Sequence, residues 1–258
     1  MAKTASKAKN ATRALPQYWG AATDAGRLRS ENQDAYFADP QAGLFIVSDG
    51  MGGEQAGALS SGVVVKVLPV LIKQRLANLK SRSGPAIRRH LREAIRELSQ
   101  RLYAESVVQV GLNGMGATVV LALLGRRSVH LAHLGDSRAY LFQQGRLIQL
   151  TDDHSVLGIL LRLGEVTSEQ ARSHPAQGRL SRFIGMQGEA LPDVRTLGLK
   201  KGTHLLLCSD GLTGMLSDTQ IAAVIRRNHD CQETCQQLVN AANAAGGRDN
   251  ITAVLLHW

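Results

Sequence analysis

The chain has 258 residues, 44% of them hydrophobic and 20% charged, with 26 Gly, 6 Pro and 3 Cys. That is enough apolar material for one large α/β or α+β domain, or at most two small ones, and it excludes a disordered chain, a collagen and a disulfide scaffold. No consecutive apolar run approaches the ~18 residues of a membrane span, and the opening MAKTASKAKNATR lacks the apolar core of a secretory signal, so a cytoplasmic location is expected.

The net charge of +9 is uneven. Residues 1–13 carry four Lys/Arg and no acid, and residues 66–101 carry ten against only Glu93 and Glu97; the remainder has 16 basic and 19 acidic residues. Residues 1–15 read as a disordered basic leader before one domain over 16–258, and 66–101 as a solvated helical face. Such basicity suits nucleic acid, anionic lipid or an acidic protein. The lack of base-stacking aromatics there, Tyr103 apart, argues against nucleic acid.

In chain order, Leu44–Val47 is a buried strand running into a Ser48-Asp49-Gly50 turn. Residues 56–77 are an apolar-rich helix that Pro69 is expected to kink or break. Residues 85–108 place Ile87, Leu91, Ile95, Leu98 and Leu102 on one helical stripe. A Gly-rich segment, 111–116, leads into a strand over 118–124. The run Val129–Leu134 ends in Gly135-Asp136-Ser137, and another strand follows over 138–142. His204–Cys208 ends in Ser209-Asp210-Gly211. Helices are expected over 218–227 and 231–245, and Gly246-Gly247-Arg248-Asp249-Asn250 precedes a last strand, 251–256. Two long helices in succession break strict βαβ alternation and favour packed sheets with helix layers outside. Cys208, Cys231 and Cys235 have no second Cys/His pair beside them, which reads as buried thiols and not a zinc site.

Asp49, Asp136, Asp210 and Asp249 all sit at ends of these strands, beside Gly. A single Asp-Gly is a turn signal. Four at strand ends point further, because crowded carboxylates repel unless a cation neutralises them, and an all-oxygen set selects Mg²⁺ or Mn²⁺.

Six motifs occur in order: Arg29-Ser30-Glu31-Asn32-Gln33-Asp34, Ser48-Asp49-Gly50-Met51-Gly52-Gly53, Gly114-Met115-Gly116-Ala117-Thr118, Gly135-Asp136-Ser137-Arg138, Ser209-Asp210-Gly211-Leu212 and Arg248-Asp249-Asn250-Ile251-Thr252. From about Gly20 to Leu256 the chain resembles the metal-dependent protein phosphatases, the type 2C serine/threonine phosphatases, in compact bacterial form. The resemblance implies an α+β fold, a four-layer α-β-β-α sandwich with two central antiparallel sheets flanked by helix pairs. It implies two Mn²⁺ or Mg²⁺ ions, with Asp49 bridging them, the Gly50 carbonyl on one, and Asp210 and Asp249 on the other. Asp136 matches the aspartate of a third, weaker metal site. Asp34 and Gln33 would act in the outer shell, Gln33 standing where other members carry Glu, and Arg29 would grip the substrate phosphate with its planar fork.

The implied chemistry is direct hydrolysis of phosphoserine and phosphothreonine by a metal-activated water, by a monomer opposing a bacterial Ser/Thr kinase. Some members have His as general acid where this chain has Met51. His154 is a candidate replacement, and a structural histidine is the stronger reading. Cys208 lacks a C-x5-R phosphate loop, which argues against a phosphocysteine route. Residues 155–187 resemble the mobile flap of bacterial members, a short helix pair with a flexible loop, where Arg179 and Arg182 would contact a phosphoprotein. The competing readings are a metal-dependent phosphodiesterase or nuclease, and a catalytically silent phosphoprotein-binding homologue.

Overall fold

A computed structural model describes residues 18–77, 79, 83–109, 111–125, 128–171, 174–228 and 230–258, so the expected leader lies outside the described residues. The elements are β1 (Tyr18–Asp24), β2 (Asp34–Asp39), β3 (Leu44–Met51), α1 (Glu54–Ala77), α2 (Gly84–Val108), β4 (Gly116–Ala117), β5 (Val119–Leu124), β6 (Ser128–Leu134), β7 (Arg138–Gln143), β8 (Arg146–Gln149), α3 (Val156–Leu163), α4 (Ser168–Ala171), β9 (Asp193–Gly198), β10 (His204–Cys208), α5 (Asp210–Thr213), α6 (Asp218–Arg227), α7 (Cys231–Ala244) and β11 (Ile251–His257). One sheet has the order β1-β11-β10-β7-β8, the other β2-β3-β5-β6-β9 with β4 also on β3. Every strand pair is antiparallel.

The continuous apolar runs have a simple cause, since both faces of each sheet are covered. In β3, Leu44 and Ile46 face the α1/α2 layer, while Phe45 and Val47 face the other sheet. In β11, Ala253 and Leu255 face α6 and α7, while Val254 and Leu256 enter the space between the sheets. This is the four-layer α-β-β-α sandwich.

Helix α2 starts where Ser83 accepts from the Ala86 N–H at 3.4 Å with Pro85 in the first turn, and it buries the Ile87, Leu91, Ile95, Leu98 and Leu102 stripe. Arg75 of α1 binds Glu93 at 3.0 Å and Glu97 at 2.5 Å, so both acids of the basic stretch lie between the two helices. A Ser217/Gln220 capping box opens α6, and Asp230 caps α7.

Helix α1 runs on through Pro69, which does not end it. Residues 55–77, although charged residues interrupt the apolar run, are also long and apolar enough to cross a membrane; half of the most apolar part is buried, with Val64, Leu68 and Ile72 in the core, as in a core helix. Strand β3 extends to Met51, so Asp49 lies within a strand and not in a following turn. Its register holds because the Asp49 N–H donates to Thr118 Oγ1 at 2.9 Å and the Thr118 N–H to the Asp49 carbonyl at 2.8 Å.

Candidate metal centre

The expected carboxylates come from five separate segments and meet at one end of the sandwich. Asp34 opens β2 directly opposite Asp49 on β3. Asp136 follows β6 in a turn whose Gly135 has φ +116°, Asp210 opens α5 after β10, and Asp249 precedes β11. Burial pushes Asp49 well above the usual carboxylate range, and the charges of Asp34, Asp210, Asp136 and Asp249 push it further. Burial and then the Asp210 charge raise Asp136 likewise. Asp210 is raised by burial and by Asp249, against a hydrogen bond to Asp49 that lowers it. Asp34 is pushed up to about 8, chiefly by burial.

The scaffold around them is neutral and donor-rich. Ser209 Oγ donates to Asp34 Oδ2 at 2.6 Å and accepts from the Thr252 N–H at 3.0 Å. Thr118 Oγ1, which accepts from Asp49 N–H, also lies 2.7 Å from Ser137 Oγ, tying β3 to the Asp136 turn. Gly211 packs so tightly on the Asn250 carbonyl that no Cβ would fit, which brings the Asp210 and Asp249 segments together.

Asn250 fixes the loop that carries Arg29. Its Oδ1 accepts from the Gln33 N–H at 2.8 Å, and its Nδ2 donates to the carbonyls of Ala25 at 2.9 Å and Glu31 at 2.8 Å. Gln33 in turn accepts the Gly50 N–H on its carbonyl at 3.1 Å, and its side chain lies over Gly57 where a Cβ would collide with it. Arg29 is half exposed at the rim, its Nη2 2.9 Å from Asp249 Oδ2, within the fields of Asp49 and Asp210.

These residues fit hard divalent cations. Among the described residues Asp34 Oδ1 and Asp210 Oδ1 are buried with no hydrogen-bond partner, and the only cationic side chains offsetting these carboxylates are rim-bound Arg29 and Arg138. Among the described residues the one trio whose ligand atoms lie within 4.8 Å of one another is His133, His154 and Asp193; the aspartates stand further apart. There the Gly135 N–H donates to His154 Nδ1 at 3.2 Å, which puts the ring proton on Nε2, 3.0 Å from Asp193 Oδ2. With that proton in place His154 has no lone pair for an ion.

His154 is fully buried, stacked on His133 at 4.3 Å, and drawn down to about 4 chiefly by burial, so it stays neutral. Both nitrogens are engaged, and it is a structural histidine. Arg182 donates to the Leu191 carbonyl at 2.8 Å and lies 3.5 Å from Asp193, while Arg179 is exposed; no contact between either side chain and the carboxylates is seen among the described residues. Composition and spacing passed over the supporting groups Ser209, Asn250, Thr118 and Ser137, though all four lie inside the six motifs. They also passed over the Arg138–Asp153 pair, two bonds of 2.9 and 2.7 Å, beside Asp136.

The family model for Protein phosphatase 2C matches residues 27–255. The chain belongs to the protein phosphatase 2C family. The serine/threonine phosphatase stp of Listeria welshimeri is 38% identical over 239 residues, 91% of this chain and 93% of that protein. The S. agalactiae serine/threonine phosphatase superposes with a TM-score of 0.83 at 32% identity, covering 93% of this chain and 98% of that one. The catalytic domain of the serine/threonine phosphatase PstP, solved with two manganese ions, gives a TM-score of 0.74 at 29% identity over 92% and 96% of the two chains. This type 2C protein is thus a metal-dependent serine/threonine phosphatase, a hydrolase of phosphoproteins; the nuclease and silent-homologue readings are not favoured.

Proposed function

We propose that the chain removes phosphate from phosphoserine and phosphothreonine with two Mn²⁺ or Mg²⁺ ions held by Asp49, the Gly50 carbonyl, Asp210 and Asp249, and a third, weaker ion at Asp136. The observation that carries this is the convergence of carboxylates whose charges raise one another, two with orphaned buried oxygens. Ions bound there supply Lewis acidity, lowering the pKa of water towards about 7 and drawing charge from the phosphoryl oxygens.

The chain's own part is positioning. Asp34 and Gln33 stand behind the ligands, Asp34 held by Ser209, and keep the outer shell polar and ordered. Arg29, placed by the Asn250-anchored loop, presents a planar cation at the rim where substrate phosphate arrives. Met51 cannot donate a proton to the leaving alkoxide. Residues 155–187 act as the flap, with exposed Arg179 facing the phosphoprotein and Arg182 holding the flap's end. The enzyme works as a monomer in the cytoplasm, opposing a Ser/Thr kinase.

The test is hydrolysis of a phosphothreonine peptide. Activity should require Mn²⁺ or Mg²⁺ and vanish in excess chelator. Full turnover in chelator would refute the centre.

A further inference from the structure

Met51 ends β3 one residue beyond Gly50 and pairs with Gly116 of β4. Gly116 carries two large apolar side chains above its Cα: a Cβ there would lie 2.7 Å from Met51 Cε, 2.7 Å from Phe183 Cδ2 and 2.9 Å from Phe183 Cε2. The thioether methyl and the ring edge thus both lie against the face of Gly116 where a side chain would otherwise stand. Both side chains are only partly buried, and the chain next to them, Gly52-Gly53, is exposed.

Phe183 is held firmly from both sides. Ile184 exchanges two backbone hydrogen bonds with Ala117, at 3.0 and 2.8 Å, and the Gly185 N–H donates to buried Ser99 Oγ at 2.9 Å. On the other side Arg182 is bonded to the Leu191 carbonyl. The ring thus stands as a fixed apolar shelf, with Met51, beside an otherwise carboxylate-lined centre. Neither side chain completes the buried clusters, and partly exposed apolar surface beside a reaction centre gains when a substrate covers it.

We propose that Phe183, backed by Met51, is a specificity-determining residue that receives an apolar side chain adjacent to the phosphorylated residue of the protein substrate. Met51 directly follows Gly50 and, two residues beyond Asp49 in β3, shares that residue's face of the strand. An extended substrate advances about 3.3 Å per residue, so a neighbour of the phosphorylated residue, and not a distant one, reaches it. Two large side chains offer more surface than the methyl of threonine alone can cover. The inference rests on the metal-centre reading above.

The experiment compares Mn²⁺-loaded wild type with Phe183→Ala and Phe183→Leu, on phosphothreonine peptides bearing Leu, Ala or Glu next to the phosphothreonine and on p-nitrophenyl phosphate. Wild type is expected to favour Leu over Glu by about tenfold in kcat/KM, Phe183→Leu to keep most of that preference, and Phe183→Ala to reduce it to about twofold with p-nitrophenyl phosphate turnover unchanged. Indifference of the wild type to the neighbour, or a preference intact in Phe183→Ala, would overturn the shelf. So would loss of p-nitrophenyl phosphate turnover in Phe183→Ala, since the ring would then serve folding or chemistry and not recognition. Wild type inert towards every substrate would overturn the metal centre, and the shelf with it.

Discussion

Strands β10 and β11 bury polar groups at both ends and settle them in opposite ways. At one end Asp210 follows β10 and Asp249 precedes β11, ringed by Ser209, Asn250 and Thr252. At the other, roughly 13 Å along the strands, His204 and His257 stack at 4.3 Å, with Phe142 edge-on to His204 at 5.8 Å. Each end has orphaned buried atoms, Asp210 Oδ1 in the first and the Nδ1 atoms of His204 and His257 in the second. The imidazoles relieve the conflict by staying neutral: burial, then the neighbouring His257, brings His204 down to about 4. The aspartates relieve it only by retaining protons or by taking up a cation. Like charges set among prearranged donors are what the proposed function asks of a working end; a discharged aromatic stack serves packing alone.

Replacing Asp49 breaks this contrast most sharply. Asp49→Asn should lower turnover of a phosphothreonine peptide by about a thousandfold, matching the several kcal/mol a metal supplies. The same change should stabilise the metal-free protein. Carboxylates raised in the folded state, Asp34 to about 8 from 3.8, contribute stability that is complete below the unfolded value and lost as pH rises through the folded one. Chelator-treated wild type should therefore lose stability from about pH 4 to pH 8, and Asp49→Asn should lose less. At pH 8 the gap should reach about 1–2 kcal/mol, some 3–6 °C in melting temperature. Equal melting curves at both pH values would show that the carboxylates do not strain one another.

Much of this was legible in the sequence because the buried strands are apolar on both faces and the candidate carboxylates sit at or near their ends, Asp49 just inside β3. The α1, α2, α6 and α7 helices carried clear periodicity or caps. Strands β1, β2, β8 and β9 did not stand out, and all four are sheet edges. An edge strand such as β9, Asp193–Gly198, keeps polar residues facing water and so lacks the apolar run that marks a central strand. At the site, residue type and spacing pick out carboxylates but not who donates to whom. Ser209, Asn250 and Thr118 act through geometry set by register, and the bond from Gly135 that settles the state of His154 depends on a turn closing 19 residues away in the chain.

The Arg138–Asp153 pair sharpens the comparison, being, with Arg29–Asp249 at the rim, a charge at the carboxylate end that is matched within the protein. Its side chains are 27% and 18% exposed, and Arg138 also donates to the Tyr140 hydroxyl at 2.9 Å. Asp153 raises Asp136 and Arg138 offsets it. Arg138→Ala would leave a largely buried carboxylate unpaired next to the cluster, costing about 3 kcal/mol, or some 6–12 °C in the melting temperature of the Mn²⁺-loaded protein. The double change Arg138→Met with Asp153→Leu should restore most of it. A melting temperature unmoved by Arg138→Ala would mean that the Asp153 carboxylate has found water or another donor.

The smallest effect is expected at the far end of the same strands. His204 is held below its unfolded value of 6.5, so its contribution is complete above that pH and is lost as pH falls towards about 4. Removing the titration with His204→Gln keeps a polar side chain of similar reach but nothing to protonate. The variant should melt close to wild type at pH 8 and about 3 °C above it at pH 5, the equivalent of ~1 kcal/mol in a domain of this size. Phosphatase activity at pH 8 should not change, because the stack lies at the opposite end of β10 and β11 from Asp210 and Asp249. A variant that melts below wild type at pH 5 would show that packing against His257 and Phe142, and not the suppressed charge, is what the stack contributes.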